Sequence, residues 1–271
     1  MAGLTESFGL SGRVAVVTGC GAGIGRAIAL ALAEAGAHVV GLDIARETGE
    51  QTVADVAAQG GESFFVRCNV ADPGAVTDAF AAVDQRFGRV DVLINNAFAG
   101  SHAHPEAIPY EEWRHVLDVN ITGSFLCAQQ AGRRMIAQGH GGAIVNLSSI
   151  AGSSALGRGN FAYSVSKGAL NQFTRELAVE WAPHRIRVNA IQPCQVRTPA
   201  LQGLIDDPQF DSDTLVATFL SGIPLRRLAE PEDVAAAAVF LASDAAAMIT
   251  GALLPVDGGN LALNAGGTVE W

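Results

Sequence analysis

Tyr163-Ser-Val-Ser-Lys167 places a phenol and an ammonium four residues apart. On a helix that spacing is about one turn, a rise of roughly 6 Å along one face. A phenol with a pKa of about 10 is a poor base at neutral pH, but a neighbouring cation favours its phenolate. The pair is suited to taking a proton from a hydroxyl or giving one to a carbonyl. A second group lies at 18–25, reading T-G-C-G-A-G-I-G. Gly19, Gly23 and Gly25 permit a tight turn and close approach of backbone to a ligand. Ile24 opens the Ala-rich run that follows. A helix starting there aims its free N–H groups at the turn, which suits a pyrophosphate.

The third group is Asp43, which closes the next apolar run. A carboxylate at that place accepts hydrogen bonds from adenosine ribose hydroxyls and repels a 2′-phosphate. No Lys or Arg lies between Gly19 and Gly25, and Arg46 is the nearby cation, placed as a solvated residue at a helix start. The expected cofactor is therefore NAD, with NADP disfavoured.

These residues need elements to hold them. Short apolar runs at 13–18, 38–43, 63–68, 90–95, 143–148, 187–191 and 252–256 read as strands. Longer amphipathic runs at 24–35, 45–59, 73–87, 111–137, 161–181 and 231–241 read as helices. The strands are unbroken apolar runs, as in strands buried on both faces. Strand–helix alternation predicts right-handed crossovers and a doubly wound parallel α/β sheet of about seven strands, with helices on both faces. One domain over 1–271 is expected. The segment 193–225, with Pro199, Pro208, Pro224 and the acids Asp206, Asp207, Asp211 and Asp213, reads as a long loop serving as a substrate lid. Residues 260–271 read as a C-terminal tail.

Composition bounds the partners. The chain has 271 residues, is 49% apolar and 16% charged, and carries a formal charge of −10. Such a surface repels phosphate polymers and anionic membranes, so neither nucleic acid nor membrane is expected as partner. Cys20, Cys68, Cys127 and Cys194 are widely spaced, as in reduced thiols of a cytoplasmic protein. No signal peptide or spanning segment is read. His102 and His104 form a pair without a third ligand nearby, so no metal site is expected. Cys194 reads as a small packing residue, Arg133 and Arg134 as surface residues near a helix end, and Trp113, Trp181 and Trp271 as packing or interface residues.

Taken together, the chain resembles the short-chain dehydrogenase/reductase family in its compact, single-domain branch with a Rossmann fold. The matching pieces are the glycine turn at 18–25, Asn69-Val70, Asn95-Asn96-Ala97, Asn120, Ser148-Ser149-Ile-Ala-Gly152, Tyr163-x-x-x-Lys167, Pro193-x-x-Val196-x-Thr198, and the ending Thr250-Gly251 with Val256-Asp257-Gly258-Gly259. The resemblance implies transfer of hydride between nicotinamide and a secondary alcohol or ketone. By position it implies that Tyr163 is the acid/base and that Lys167 tunes it and bonds the nicotinamide ribose. Ser149 would bond the substrate oxygen, with Ser148 the alternative, and Asn120 would hold a water leading from Lys167 to solvent. Asn69 and Val70 would flank adenine, Asn96 would border the cofactor, and Val196 and Thr198 would hold the carboxamide. It further implies a homotetramer built on the helices at 111–137 and 161–181.

The chain departs from the family where Phe98 replaces the glycine of Asn-Asn-Ala-Gly, where Cys194 replaces the glycine of Pro-Gly, and in a Ser149-to-Tyr163 step one residue longer than usual. Phe98, Arg158, Asn160 and Gln195 are candidate substrate residues. The substrate is expected to be a polyol, sugar or sugar acid. A 3-oxoacyl-thioester or hydroxysteroid enzyme of the same family is the alternative, and a non-catalytic dinucleotide-binding regulatory module is a further one.

Overall fold

The structure, a computed structural model, describes residues 3–157, 159–209 and 211–263. Arg158, Trp271 and most of the expected tail lie outside the described residues. Seven parallel strands form one sheet in the order β3-β2-β1-β4-β5-β6-β7. They are β1 (Val14–Thr18), β2 (His38–Asp43), β3 (Ser63–Arg67), β4 (Val92–Asn95), β5 (Gly142–Leu147), β6 (Ile186–Pro193) and β7 (Leu253–Val256). Every residue of β1 and β4 is buried, because both lie mid-sheet with helices on each face.

Helices α1 (Gly23–Glu34), α2 (Arg46–Ala58) and α3 (Pro73–Phe87) follow the first three strands. The local signals are plain in α3. Asp72 accepts from the N–H groups of Gly74 and Ala75, Pro73 stands in the first turn, and Gly88 ends the helix at φ 68°. On one face of the sheet, Ile28 and Leu32 of α1 pack with Val234 and Leu241 of α9 (Pro231–Ala242). On the other, Phe80 of α3 packs with Cys127 and Met135 of α5 (Ser124–Gln138). α6 (Phe161–Glu180) packs along β6. Strand order reverses between β1 and β4, which opens a crevice at their carboxyl ends.

Two expectations change. The helix read at 111–137 is not uniform: α4 (Tyr110–Leu117) passes through a π-helical stretch, Asp118–Gly123, into α5. A π turn inserts a residue without breaking the helix, so the apolar periodicity conceals it. The loop read at 193–225 contains two helices, α7 (Pro199–Ile205) and α8 (Ser212–Ser221). Their prolines do not break them: Pro199 starts α7 and Pro208 and Pro224 fall outside both. Thr198 and Asp211 cap the two helices, and Ile205, Phe219, Ile223 and Leu228 form a small core of their own. No described helix is long and apolar enough to cross a membrane.

Candidate active site

A cavity of about 540 Å³ opens at the carboxyl ends of β1, β4 and β5. Its floor is the glycine turn. Thr18 Oγ1 accepts from the N–H groups of Asn96 (2.9 Å) and Ala97 (3.0 Å), tying the end of β1 to the segment after β4. Asn96 returns its side-chain amide to the Thr18 and Gly19 carbonyls, both at 2.9 Å. A Cβ on Gly25 would sit 2.0 Å from the Gly19 oxygen and 2.4 Å from Asn96 Nδ2, so only glycine fits. Gly19 and Gly23 hold φ of 65° and 52°, which side-chain-bearing residues rarely adopt. The result is a cradle of bare backbone at the start of α1. It fits a dinucleotide pyrophosphate.

At one end stands Asp43. Its Oδ2 accepts from the Gly21 N–H (2.8 Å) and its Oδ1 from the Ala45 N–H (2.9 Å), which fixes the carboxylate while leaving lone pairs for further donors. Arg46 pairs with Glu50 at 3.0 Å. A second cation is hidden from the linear sequence: register places Arg67 beside Asp43, and its Nε donates to the Ile44 carbonyl at 3.1 Å. Asn69, Val70, Val196 and Thr198 line the same cavity.

Ser149, Tyr163 and Lys167 converge at the other end. Lys167 is buried, and its Nζ donates to the Leu147 carbonyl (2.6 Å) while lying 5.4 Å from the centroid of the Tyr163 ring. Burial lowers the Lys167 ammonium to about 7. Burial also pushes the Tyr163 phenol above its ordinary value, and a hydrogen bond with Ser149 pulls it down. The lowered phenol expected from the lysine alone is thus reversed by desolvation. Of the two serines, Ser148 is spent on structure, bonding the Lys167 carbonyl (3.2 Å) and Asn171 Oδ1 (2.6 Å). Ser149 is the one that meets the phenol.

Asn120 is buried where α4 runs into α5. Its side chain makes three hydrogen bonds: it accepts from Ala99 N–H (2.7 Å) and donates to Ala99 O (3.0 Å) and Ser166 Oγ (2.9 Å). Ser166 in turn donates to the Tyr163 carbonyl at 2.7 Å. Sequence reading passed over Ser166, although it lies inside the Tyr163–Lys167 turn, and passed over His115, which lines the cavity. Of the substrate candidates, Phe98 lines the cavity, whereas Asn160 and Gln195 do not. Gln195 keeps its Oε1 buried without a hydrogen-bond partner. Cys194 lines the cavity and burial raises its thiol, so it is not a reactive thiolate. Trp113 stacks on Phe161 with ring centroids 5.7 Å apart, and Arg134 holds Asp84 at 2.6 Å.

A family model described as enoyl-(acyl carrier protein) reductase matches residues 19–260. Among curated proteins the chain is 42% identical to a D-threitol dehydrogenase of Mycolicibacterium smegmatis, covering 93% of this chain and 94% of that protein. It is also 42% identical to a cis-4-hydroxycyclohexanecarboxylate dehydrogenase of Sinomonas cyclohexanicum, covering 93% and 97%. Among solved structures, a 7α-hydroxysteroid dehydrogenase holding NADH and 7-oxo glycochenodeoxycholic acid superposes with a TM-score of 0.88 at 32% identity, covering 96% of this chain and 98% of that one. Other similar structures hold NADP, so relatives take either dinucleotide. The chain belongs to the short-chain dehydrogenase/reductase family. Its Rossmann-type sheet and nicotinamide dinucleotide cradle are those of an oxidoreductase.

Proposed function

We propose that this protein interconverts a secondary alcohol and a ketone with NAD as hydride partner. The observation that carries the reading is the meeting of Ser149, Tyr163 and Lys167 in one cavity with the glycine cradle. When bound, the nicotinamide ring supplies the hydride acceptor in oxidation and the donor in reduction. The protein's own residues do the rest. Ser149 orients the substrate oxygen and steadies charge that develops on it. Tyr163 takes the hydroxyl proton in oxidation and returns it in reduction. Lys167 lies against the phenol ring, so loss of the Tyr163 proton creates a phenolate beside a group that can hold it as ammonium.

Gly19, Gly23, Ile24 and Gly25 would hold the pyrophosphate, Asp43 the adenosine ribose, Asn69 and Val70 the adenine, and Val196 and Thr198 the carboxamide. Asn96 acts by locking the turn. Asp43 supports NAD because a fixed carboxylate repels a 2′-phosphate, and the Arg67 Nε is already engaged by a carbonyl. The substrate class is a small alcohol, whether polyol, sugar, sugar acid or cyclic alcohol; D-threitol, glycerol and cis-4-hydroxycyclohexanecarboxylate dehydrogenases stand among the relatives. A homotetramer is supported by apolar side chains left exposed on α5 and α6, Phe125, Phe161, Val165 and Val179. A reduced, cytoplasmic protein is consistent with four free cysteines.

The test is turnover on a panel of polyols, sugars, sugar acids, hydroxysteroids and hydroxyacyl thioesters with NAD and then NADP. Turnover with NAD, lowered about 10²–10⁴-fold in Tyr163→Phe, is expected. NADP preference would promote the thioester alternative. Activity retained in Tyr163→Phe would remove the mechanism.

A further inference from the structure

Phe98 presents a feature that packing does not account for. The residue is 61% exposed, yet its ring lies on the cavity wall and meets that of Tyr163 edge-on, with centroids 6.3 Å apart and planes at 72°. A phenyl face left open at the mouth of a reaction cleft is apolar surface awaiting cover.

The backbone beside it is held. Asn120 clasps the next residue, Ala99, by both its N–H (2.7 Å) and its carbonyl (3.0 Å). The same Asn120 amide reaches Ser166 (2.9 Å), which bonds the Tyr163 carbonyl (2.7 Å). One hydrogen-bonded unit therefore fixes both the segment carrying the phenyl ring and the helical turn carrying the phenol. The wall is a set distance from the proton-transfer group rather than a mobile loop side chain.

The cavity wall also carries the apolar Ala99, Val119, Leu147 and Pro193, with polar atoms gathered at Ser148, Ser149 and Asn96. Among the described lining residues, the groups able to carry charge beyond Tyr163 and the thiols Cys68 and Cys194 are Asp43 at the ribose end, Lys167 under the phenol, and His115. An open-chain polyol bears a hydroxyl on each carbon, and each one laid on this wall would lose water without gaining a partner.

We infer that Phe98 is a specificity-determining residue, and that it selects neutral secondary alcohols whose carbinol carbon belongs to a hydrocarbon ring, as in a substituted cyclohexanol. The inference rests on the oxidoreductase reading above. It narrows the substrate class by contact between the alicyclic C–H face and the phenyl ring.

The experiment compares kcat and KM for 4-methylcyclohexanol and D-threitol with NAD in wild type, Phe98→Gly, Phe98→Leu and Tyr163→Phe. Melting temperature and NADH binding confirm that each variant is folded. Wild type should favour the cyclic alcohol at least about tenfold in kcat/KM, the scale on which a hydrophobic pocket discriminates. Phe98→Gly should cut that ratio at least about tenfold, chiefly through KM of the cyclic alcohol, and Phe98→Leu should keep most of it. A ratio unchanged in Phe98→Gly, or a wild type that favours threitol, overturns the role of Phe98 alone. Turnover of neither alcohol above the Tyr163→Phe background, while another alcohol of the panel is oxidised, overturns this inference alone; turnover of no member of the panel, with NADH bound, overturns the oxidoreductase reading as well.

Discussion

Lys167 and Tyr163 are each costly to desolvate as ions, and the lysine is buried with the phenol half-buried beside it. The lysine is driven down to about 7 by desolvation. The phenol is driven up by the same cause. Their neutral forms are favoured in isolation, but a phenolate–ammonium pair recovers in mutual attraction part of what burial removes. This has a measurable thermodynamic side. An unfolded lysine titrates near its ordinary value of 10.5 and the folded one at about 7, so between those values the unfolded chain binds the extra proton. Stability then rises with pH across that window and is lowest, for this residue's part, below it. Without added dinucleotide, the melting temperature of Lys167→Met should exceed that of wild type by the widest margin below pH 7. The margin should narrow toward pH 9, as thermal melts at several pH values would show. A constant margin would mean that Lys167 stays charged in the fold. Activity of the variant should fall with the loss of the phenol's partner.

At the scale of elements, the π-helical stretch between α4 and α5 positions Asn120, and Asn120 positions two other elements. Its amide faces the segment after β4 on one side and α6 on the other. Replacing it by alanine strands a part-buried backbone N–H and carbonyl of Ala99 and removes one of the two hydrogen bonds of Ser166. Asn120→Ala should lose about 2–4 kcal/mol in urea denaturation, from leaving such groups unpaired. It should also raise KM for the preferred alcohol, because the Phe98 wall is no longer held. A KM unchanged at reduced stability would separate the clasp from substrate positioning. Little of this was legible in the sequence. Asn120 could be singled out by its resemblance to the family, but its partners depend on a backbone register shift that leaves no mark on residue periodicity. Ser166 likewise looks like an ordinary helical serine until the π-helical stretch lies against it.

For the whole molecule, the sheet was legible because its strands are continuous apolar runs broken by glycine and polar turns. Their count and parallel direction follow from that pattern. The glycine turn was legible because its residues act locally, on the chain's own backbone. Contacts between strands were not. Arg67 comes beside Asp43 only through the pairing of β2 with β3, and it is absent from any reading of the residues flanking Asp43. The segment over 193–225 was misread for a different reason. Prolines taken as signs of a loop instead mark where two short helices begin and end.

Those two helices rest on a cluster that is separate from both larger cores. Cys194 touches that cluster and the larger core on the α1 and α9 side. Opening this part of the molecule exposes only a few apolar side chains, so it has its own, smaller opening free energy. In deuterium exchange, the amides of α7 and α8 should gain mass well before those of β1, β4 and β5, and bound NADH with substrate should slow them selectively. Uniform exchange across all five elements would refute a separate unit. Residence time in the cleft and resistance to heat are then governed by different side chains. Trimming Ile205 or Phe219 should quicken release of product while the main thermal transition stays where it is.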